Sequence, residues 1–588
     1  MVGNSGDITL QMPSDLRPTK VSALELDIPA QHVDKRRGIT RLTVDIPSTS
    51  PKITGKDAIH QHRSRWRTLE FYIYGIVFCI AIPIMVWIPV RLSDKSHPNY
   101  QMFKRRLEPG WLFGREIDNS DGQYRSVRNN IPLLTLLVFV FLTSKAVYTR
   151  VTSRFRSSQS ENKLYLVPFL LFFSIIMLFG LCGTSAFKIF IILTLNYYIG
   201  KLSAGSRLGP IFTWLFNIAI LFANERYSGY HFTMIHPSLQ FLDNIQGVYP
   251  RWHINFNITM LRLVSFNMDY YWACTRVGTQ ENGQALDNKQ RTTTCHPLEI
   301  YSFQNYLAYA LYSPLYIGGP IITFNDFMWQ LRRPLQLSLR GKVGYLIRFL
   351  ICLFTMEVIQ HFMYVVAIKD TKAWHGDSAA ELCMIGFWNL IIVWLKLLIP
   401  WRFFRLWALL DGIDPPENMV RCMANNYSAL AFWRSWHRSY NLWIIRYIYI
   451  PLGGTKNLLF TSVLIFSFVA LWHDLSFKLL AWGWLVSLFL VPEIAARYFL
   501  PPSKYDSKPW YRHVCAIGAV FNILMMMIAN LVGFVIGTDG ISYLLDQVFS
   551  SWEGIRFLFI TCVCLFVASQ VMFEYREEEI RKGIYRRC

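Results

Sequence analysis

Long apolar runs recur along most of this chain and constrain its fold more than any other feature. The first occupies residues 70–90, and the longer runs match the roughly 20 residues that an α-helix needs to cross a bilayer. The later runs are 131–148, 164–184, 187–200, 210–223, 306–324, 343–368, 382–400, 458–472, 479–494, 513–536 and 555–573. The pattern predicts an all-α, polytopic membrane protein with about eleven to thirteen membrane helices or re-entrant pieces.

Several of these runs are interrupted by glycine and proline, as at Ser313-Pro314 and at 318–320. Broken helices at membrane depth are tolerated only where protein or a water-filled cavity covers the free backbone groups. We therefore expect the helices to surround a cavity rather than to form a compact bundle that faces lipid on all sides.

The N-terminal stretch differs from the rest of the chain. Residues 1–67 are polar and contain scattered Pro, Ser, Lys and Arg without an apolar period. Such a composition cannot bury enough apolar surface to fold, and no apolar core of a signal peptide occurs there. The sequence predicts a disordered polar N-terminal tail over 1–67 and a membrane domain over 68–588.

The chain is strongly basic, with a formal net charge of +21. Most basic residues lie in loops that flank apolar runs, so they can anchor the protein and set its topology. They can also attract anionic lipid headgroups or a phosphorylated co-substrate. No nucleic-acid-reading motif occurs, so membrane lipids and not nucleic acid are the expected partners.

The eleven cysteines lie mostly inside apolar runs, where they act as small hydrophobic side chains. No CxxC pair occurs, and we expect no metal site of the thiolate type. Cys274 and Cys295 flank a polar loop and could form a disulfide only if that loop is lumenal.

The segment 432–447 combines aromatic and basic residues in an unusual density. Arg434, Arg438 and Asn441 form a polar stripe at helical spacing, and His437 lies at its border. The neighbouring aromatic stripe contains Trp433, Trp436, Tyr440, Trp443 and Tyr447. The pattern is typical of a helix that lies in the membrane interface or lines the mouth of a cavity. An amphipathic anchor without chemistry is the alternative.

A second histidine ends the apolar run 458–472, in the sequence Trp472-His473-Asp474. An ionisable residue in a membrane segment costs about 2.5 kcal/mol or more and indicates function, unless it simply reaches water at the interface. Adjacent residues on a helix point about 100° apart, so His473 and Asp474 do not form a catalytic dyad. An orienting partner for His473 must come from elsewhere in the chain.

Two imidazoles separated by one loop and one membrane run can converge in a cavity. Imidazole has an ordinary pKa of about 6.5 and is mostly unprotonated at neutral pH, which suits a general base. One ring can take the proton of an alcohol while the other holds the attacked carbonyl or orients the pair. The chain lacks a GxSxG elbow and an HExxH motif, and Cys422 is the nearest, unconvincing, nucleophile.

Two further polar segments are expected to be structural. Residues 110–125 are rich in glycine and turn residues, which favours a structured loop. Arg251-Trp252 with Asn257, Arg262 and Asn267 favours an amphipathic anchor helix. The sequence from Asn257 to Thr259 also matches the glycan-acceptor pattern, which requires a lumenal loop.

At these motifs the chain resembles the membrane-bound O-acyltransferase family. Trp436-His437, the stretch 446–454 (RYIYIPLGG) and Trp472-His473-Asp474 look like the signature of that family. Further stretches look like its fungal glycerol-uptake-protein branch: 110–125, 317–326, 394–402, 406–414 and 576–579. The resemblance covers nearly everything after the N-terminal tail.

The resemblance implies a helical membrane core pierced by a tunnel where acyl-CoA and acceptor meet. It implies that His473 is the catalytic base and that His437 occupies the second catalytic position. Trp433, Arg434, Trp436, Arg438, Asn441 and Trp472 are the expected substrate-binding residues. Acyl-CoA is expected as co-substrate, without a further cofactor.

The branch implies reacylation of lyso-phosphatidylinositol in GPI anchors with a very-long-chain saturated acyl-CoA, in the endoplasmic reticulum membrane. The acceptor would be the lyso-GPI lipid or another lysophospholipid. Two alternatives stay open on the residues alone. The cavity could pass a polyol such as glycerol, although no internal repeat of the transporter kind is found. The acceptor could also be a protein, as in the Hedgehog palmitoyltransferase branch.

Overall fold

A computed structural model of the chain describes residues 63–154, 162–249, 251–277, 279–280, 286–454, 458–473, 475, 477–584 and 586. These residues are mostly helical. The first helices are α1 (Leu69–Leu92), α2 (Tyr100–Phe103), α3 (Gly122–Ser153), α4 (Val167–Cys182), α5 (Ser185–Ser203), α6 (Gly209–Arg226), α7 (Gln240–Asn244) and α8 (Trp252–Cys274). The middle helices are α9 (Asn288–Thr293), α10 (Phe303–Ala310), α11 (Ser313–Tyr316), α12 (Phe324–Arg332), α13 (Leu339–Phe362), α14 (Val365–Thr371), α15 (Ala379–Asp411), α16 (Ala429–Ser435) and α17 (Arg438–Ile444). The last helices are α18 (Leu458–His473), α19 (Phe477–Phe499), α20 (Pro502–Tyr505), α21 (Tyr511–Phe534), α22 (Gly537–Phe549) and α23 (Trp552–Arg581).

Strands are confined to two minimal sheets. β1 (Glu108–Pro109) pairs antiparallel with β2 (Glu116–Ile117), and β3 (Thr279–Gln280) pairs parallel with β4 (Thr294–Cys295). The first pair closes a hairpin within the segment that was predicted to be a structured loop. Cys274 and Cys295, next to the second pair, are free thiols and form no disulfide.

Eight helical stretches of the described residues are long and apolar enough to cross a membrane. They are Leu69–Leu92, Gly122–Ser153, Leu164–Cys182, Leu339–Phe362, Ala379–Asp411, Leu479–Tyr505, Tyr511–Phe534 and Trp552–Arg581. In the most apolar stretch of α15 half of the residues are buried, whereas in that of α3 only 6% are buried. α15 is therefore internal, and α3 faces outwards. The prediction of an all-α polytopic membrane protein is confirmed.

The remaining apolar runs form shorter or interrupted helices. The run 306–324 is broken into α10 and α11, followed by an irregular stretch at Gly318–Ile321. Arg262, which is fully buried, donates hydrogen bonds to the carbonyls of Ala310 and Leu315 on either side of the break. Protein groups therefore satisfy the freed backbone, as expected for a broken helix inside a membrane domain.

The predicted anchor helix around Arg251 to Asn267 is wrong. The residues from Thr259 to Asp269 on α8 are all buried, and none is more than 3% exposed. Their polar side chains bond to neighbouring elements instead of facing water. In the sequence, polar residues that face such partners have the same helical spacing as polar residues on the water-facing side of a surface helix. Asn257 lies inside this helix, so the glycan-acceptor pattern there does not lie on a loop.

One face of α8 bonds to the segment that carries the two conspicuous histidines. Residues four apart share a face of an α-helix, and on α8 such a set forms what we call the α8 ladder: Asn257, Leu261, Ser265 and Asp269. The Trp443 indole of α17 donates to the Leu261 carbonyl at 2.9 Å. The ladder thus holds α17 against the centre of the molecule.

The C-terminal end of the α8 ladder contains a buried ion pair. Asp269 is fully buried and accepts hydrogen bonds from Arg446 at 2.7 Å and from the Tyr447 hydroxyl at 2.9 Å. The Ser265 hydroxyl lies 2.7 Å from the same Tyr447 hydroxyl. Arg446 and Tyr447 belong to a π-helical turn, Ile445–Tyr449, that directly follows α17.

The predicted N-terminal tail lies almost wholly outside the described residues. Of its extent only residues 63–67 are described, and the backbone N–H of Arg65 donates to Glu574 of α23 at 2.9 Å. The membrane domain therefore begins with a contact to its last helix.

We predict that Asp269→Asn destabilises the protein strongly. The change leaves the Arg446 guanidinium without a compensating charge, and loss of one partner of a buried ion pair costs about 3–5 kcal/mol. The midpoint of thermal unfolding of the purified protein in detergent should fall, and Arg446→Gln added to Asp269→Asn should recover part of the loss. Asp370→Asn, in an ion pair whose side chains are 23% and 27% exposed, is the control. Equal midpoints for the two single variants would contradict the structural role of Asp269.

Candidate active site

His437 lies at a break between two helices. α16 ends at Ser435, Trp436 is extended, and His437 adopts a left-handed backbone conformation with φ 44° and ψ 48° before α17 begins. Residues other than glycine rarely adopt this conformation, and such strain is often found at functional sites. The break turns the His437 side chain towards the interior, so the predicted single helix through 433–447 is wrong.

The break is held by groups outside the two helices. The carbonyl of Asn418 accepts the backbone N–H of Arg438 at 3.0 Å, and its side chain accepts that of Ser439 at 3.0 Å. These N–H groups belong to the first turn of α17 and have no partner within that helix. The Ser439 hydroxyl in turn accepts the N–H of Ile321, in the irregular stretch after α11.

His473 is the last residue of α18, and the residue before it is tied to α8. The Asn257 amide donates to the Trp472 carbonyl at 2.9 Å, and the Trp472 indole donates to the Asn257 carbonyl at 2.9 Å. As one of the last four carbonyls of α18, that of Trp472 has no partner within its own helix. These two hydrogen bonds fix the end of α18, and with it His473, at the N-terminal end of the α8 ladder.

Aromatic rings connect the two histidines. The His437 ring stacks on Trp401 with a centroid distance of 4.4 Å and is tilted against Tyr440 at 5.1 Å. Tyr440 stacks on Trp472 at 4.5 Å, and Trp472 meets His473 edge to face at 4.7 Å. Trp472 is also 6.5 Å from His437, so one tryptophan borders both imidazoles.

Both imidazoles line one cavity of about 560 Å³. Its wall is mostly apolar and is built by side chains of α15, α16, α19, α21, α22 and α23, among others. The polar residues of the wall, besides the two histidines, include Gln123, Lys396, Asn426, Tyr440, Asn441, Asn530 and Thr561. The cavity that the broken helices predicted is therefore present, with His437 and His473 on its wall.

The predicted substrate-binding residues divide into two groups. Trp433, Trp436 and Asn441 line the cavity. Trp472 is 5% exposed and lies behind the histidines. Arg434 and Arg438 are not among the described residues of the cavity wall.

Trp443 and Tyr447 of the predicted aromatic stripe do not face the cavity. Each is 1% exposed, and both bond to the α8 ladder instead. The aromatic residues of this segment therefore point in two directions: Trp433, Trp436 and Tyr440 line the cavity, and Trp443 and Tyr447 face α8. One continuous helix would place all five on the same side.

Sequence reasoning missed two residues of this site. Trp401 contacts His437, and Lys396 reaches the cavity wall from α15. Lys396 lies in the apolar run 382–400 and is an ionisable residue in a membrane segment, the criterion that singled out His473. Applied to every run, that criterion would have identified Lys396.

The arrangement suits proton transfer inside an apolar pocket. Two imidazoles at the wall can bind and deprotonate a hydroxyl, and the surrounding apolar side chains can hold a long hydrocarbon chain. Among the described residues, no group of three or more His, Cys, Asp or Glu side chains is placed to hold a metal ion.

Comparison with known proteins supports the same chemistry. Residues 237–538 match the model of the membrane-bound O-acyltransferase family, and this range contains both histidines. The chain is 48% identical over 539 residues to the membrane-bound O-acyltransferase GUP1 of Candida tropicalis, covering 90% of each chain. It is 46% identical over 538 residues to the Saccharomyces cerevisiae protein of the same name, covering 89% of this chain and 94% of the relative.

A more distant relative is named as an enzyme that acylates a protein cysteine residue at nitrogen. The mouse protein-cysteine N-palmitoyltransferase HHAT is 28% identical over 248 residues, which is 40% of this chain and 50% of the relative. The resemblance indicated by the histidine motifs is thus confirmed at the level of the family. The chain belongs to the membrane-bound O-acyltransferase family and is a multi-pass membrane acyltransferase.

Proposed function

We propose that the protein transfers a long or very-long-chain fatty acyl group from acyl-CoA to the sn-2 hydroxyl of lyso-phosphatidylinositol in GPI anchors. The reaction takes place in the endoplasmic reticulum membrane. The observation that carries the proposal is the position of His437 and His473 on the wall of one apolar cavity. The resemblance to the fungal glycerol-uptake-protein branch supplies the acceptor, the chain length and the compartment.

The wall of the cavity supports a long acyl chain as one substrate. Its apolar lining includes Met526 and Phe534 of α21, Leu558 and Leu565 of α23, and Phe387 of α15. Burial of each methylene group contributes about 0.8 kcal/mol, so a chain of many carbons binds through this wall alone. The cavity volume of about 560 Å³ lies within the ~300–1,000 Å³ typical of sites that enclose small ligands.

The chemical step is a direct transfer between thioester and alcohol. His473 takes the proton from the acceptor hydroxyl while the oxygen attacks the thioester carbonyl carbon. The carbon–sulfur bond then breaks, the CoA thiolate leaves and takes up the proton, and an ester and free CoA are formed. No covalent bond to the protein is needed.

His437 is proposed to hold the thioester carbonyl. Its ring face is covered by Trp401, which leaves the ring edge with its two nitrogens for hydrogen bonds. A donor aimed at the carbonyl oxygen stabilises the negative charge that develops there during attack. Held by Asn418 and the neighbouring helix break, the ring keeps this position without reorganisation.

The names of the full-length fungal relatives favour a hydroxyl acceptor over an amine. These relatives are named O-acyltransferases and cover most of the chain, whereas the match to the mouse N-palmitoyltransferase covers 40% of it. A protein acceptor and polyol transport are therefore outcomes that the experiment distinguishes.

We predict that the purified protein converts lyso-phosphatidylinositol and acyl-CoA into the diacyl lipid, and that His473→Ala lowers this rate at least ~100-fold by removing the base. Mass spectrometry of the lipid products measures the reaction. His513→Ala is the matched control, because His513 bonds to Gln570 at 3.2 Å and is not among the described residues that line the cavity.

Three results would contradict the proposal. Full activity of His473→Ala would exclude its role as base. An acylated protein as the product, with no acylated lipid, would favour protein acylation. Saturable glycerol flux into proteoliposomes without acyl-CoA would favour transport. Mass spectrometry of anchor lipids from cells with and without the chain tests the acceptor in its native membrane.

We also predict that Asn257→Asp lowers kcat about 10–100-fold, because a carboxylate facing the Trp472 carbonyl repels it and displaces His473 from its productive position. The KM for acyl-CoA should stay nearly unchanged, since Asn257 does not line the cavity wall that the structure describes. Asn255→Asp is the control on the same helix, because the Asn255 amide is 3.5 Å from its nearest acceptor, the Tyr316 carbonyl. An equal loss of kcat in both variants would contradict the positioning role of Asn257.

A further inference from the structure

Lys396 places a positive charge on the wall of the apolar cavity. Of the described residues that line the cavity, it is the only Lys or Arg, and none of them is Asp or Glu. An ionisable side chain in a membrane helix is costly to bury and usually has a function. The catalytic step proposed above uses the two histidines and does not require this lysine.

The ammonium group of Lys396 is held at the start of α3. It lies 2.8 Å from the Asp121 carboxylate, and both side chains are mostly buried, at 17% and 14% exposure. Asp121 caps α3, since its other carboxylate oxygen accepts the N–H of Tyr124 at 2.9 Å. An ammonium group has three N–H donors, and Asp121 accounts for one of them, so the group can bind a second anion from the cavity side.

Lys396 lies on the same helix as the aromatic residue that contacts His437. It precedes Trp401, the stacking partner of His437, by five residues, which is about 7.5 Å along a helix axis. Residues five apart on an α-helix point about 140° apart, so Lys396 and Trp401 reach the cavity wall from different sides of α15. An anionic group bound to Lys396 therefore shares one cavity with a hydroxyl that reacts at His437 and His473.

We propose that Lys396 binds the phosphate ester of the lipid acceptor, and this inference rests on the proposed function. In a lysophospholipid the reacting hydroxyl and the phosphate are on adjacent glycerol carbons. A cation that recognises this phosphate must therefore lie in the same cavity as the catalytic groups, as Lys396 does. The phosphates of acyl-CoA are separated from the thioester by the whole pantetheine arm, which places them farther away.

The bound phosphate shares the ammonium group with Asp121. The aspartate keeps the side chain of Lys396 extended towards the cavity before the lipid arrives, and the phosphate adds a charge-assisted hydrogen bond. The site thus selects an acceptor with a phosphate next to its free hydroxyl and discriminates against neutral monoacylglycerol.

The test compares the kinetics of Lys396→Met with those of the wild type in detergent-purified protein. We expect the KM for lyso-phosphatidylinositol to rise about 10–100-fold, as for loss of a hydrogen bond between charged groups. The KM for acyl-CoA and the inhibition constant of monoacylglycerol as a competing lipid should not change. Lys396→Arg keeps the cation and should retain most of the affinity.

Asp121→Asn separates phosphate binding from a structural ion pair. Asparagine also caps helices, so α3 keeps its cap while the carboxylate charge is lost. If Lys396 binds phosphate, the KM for lyso-phosphatidylinositol does not rise in this variant, because the cation remains. If the ion pair only holds α3 against α15, Asp121→Asn and Lys396→Met have the same effect, and the inference is overturned.

Lys188→Met is the matched lysine control. Lys188 is 12% exposed and lies 3.8 Å from the Asp243 carboxylate, but it is not among the described residues of the cavity wall. The KM of the Lys188→Met variant for lyso-phosphatidylinositol should equal that of the wild type. Should Lys396→Met not accumulate, Lys396→Gln takes its place with the same expected result.

The outcomes also separate this inference from the proposed function. If the wild type forms no product from lyso-phosphatidylinositol, the proposed function fails. If the wild type forms product and Lys396→Met has an unchanged KM for this lipid, only the inference fails. A rise in the KM for acyl-CoA instead would assign the phosphate at Lys396 to the donor and overturn the assignment to the acceptor.

Discussion

The reciprocal hydrogen bonds between Asn257 and Trp472 connect the end of α18 to the centre of the molecule. They belong to a constraint that governs the whole membrane domain, because every polar group that leaves water must find a partner inside the protein. α8 meets this constraint with one face, on which the α8 ladder bonds to α17, to the π-helical turn and to α18. His437 directly precedes α17 and His473 ends α18, and both helices are bonded to α8. The distance between the two imidazole rings therefore depends on α8.

The same constraint explains why irregular backbone surrounds the site. The break at His437 exposes N–H groups at the start of α17, and Asn418 accepts two of them. Arg262 spans the break between α10 and α11, since it donates to the Ala310 carbonyl at the end of α10 and to the Leu315 carbonyl in α11. Each irregular element therefore has a fixed partner, and the cavity wall combines apolar side chains for a hydrocarbon chain with a few placed polar groups. An apolar site of this kind strengthens hydrogen bonds to developing charge, because little water competes for them.

Particular residues show where sequence reasoning was reliable and where it was not. His437 and His473 were identified because ionisable and aromatic groups in apolar surroundings are costly, and the structure brings both to one cavity. Helical spacing grouped Arg434 and Arg438 with Asn441, but the chain breaks at His437, and of the three only Asn441 is among the described residues of the cavity wall. α8 was taken for an anchor because hydrogen-bonding side chains inside a core and polar side chains in water produce the same periodicity. Burial is decided by neighbouring elements, and no local pattern reports it.

The sequence by itself determined the class of fold, the approximate position of the apolar helices, the expectation of a cavity and the family. These properties follow from local composition and from short motifs, because a run of apolar residues requires lipid or protein around it wherever it lies. Only the tertiary structure decided which side chains face the cavity, that Trp401, Tyr440 and Trp472 border the histidines, and that Lys396 reaches the same wall. Those contacts join residues far apart in the chain, and they depend on helix breaks and packing directions that spacing along one segment does not encode.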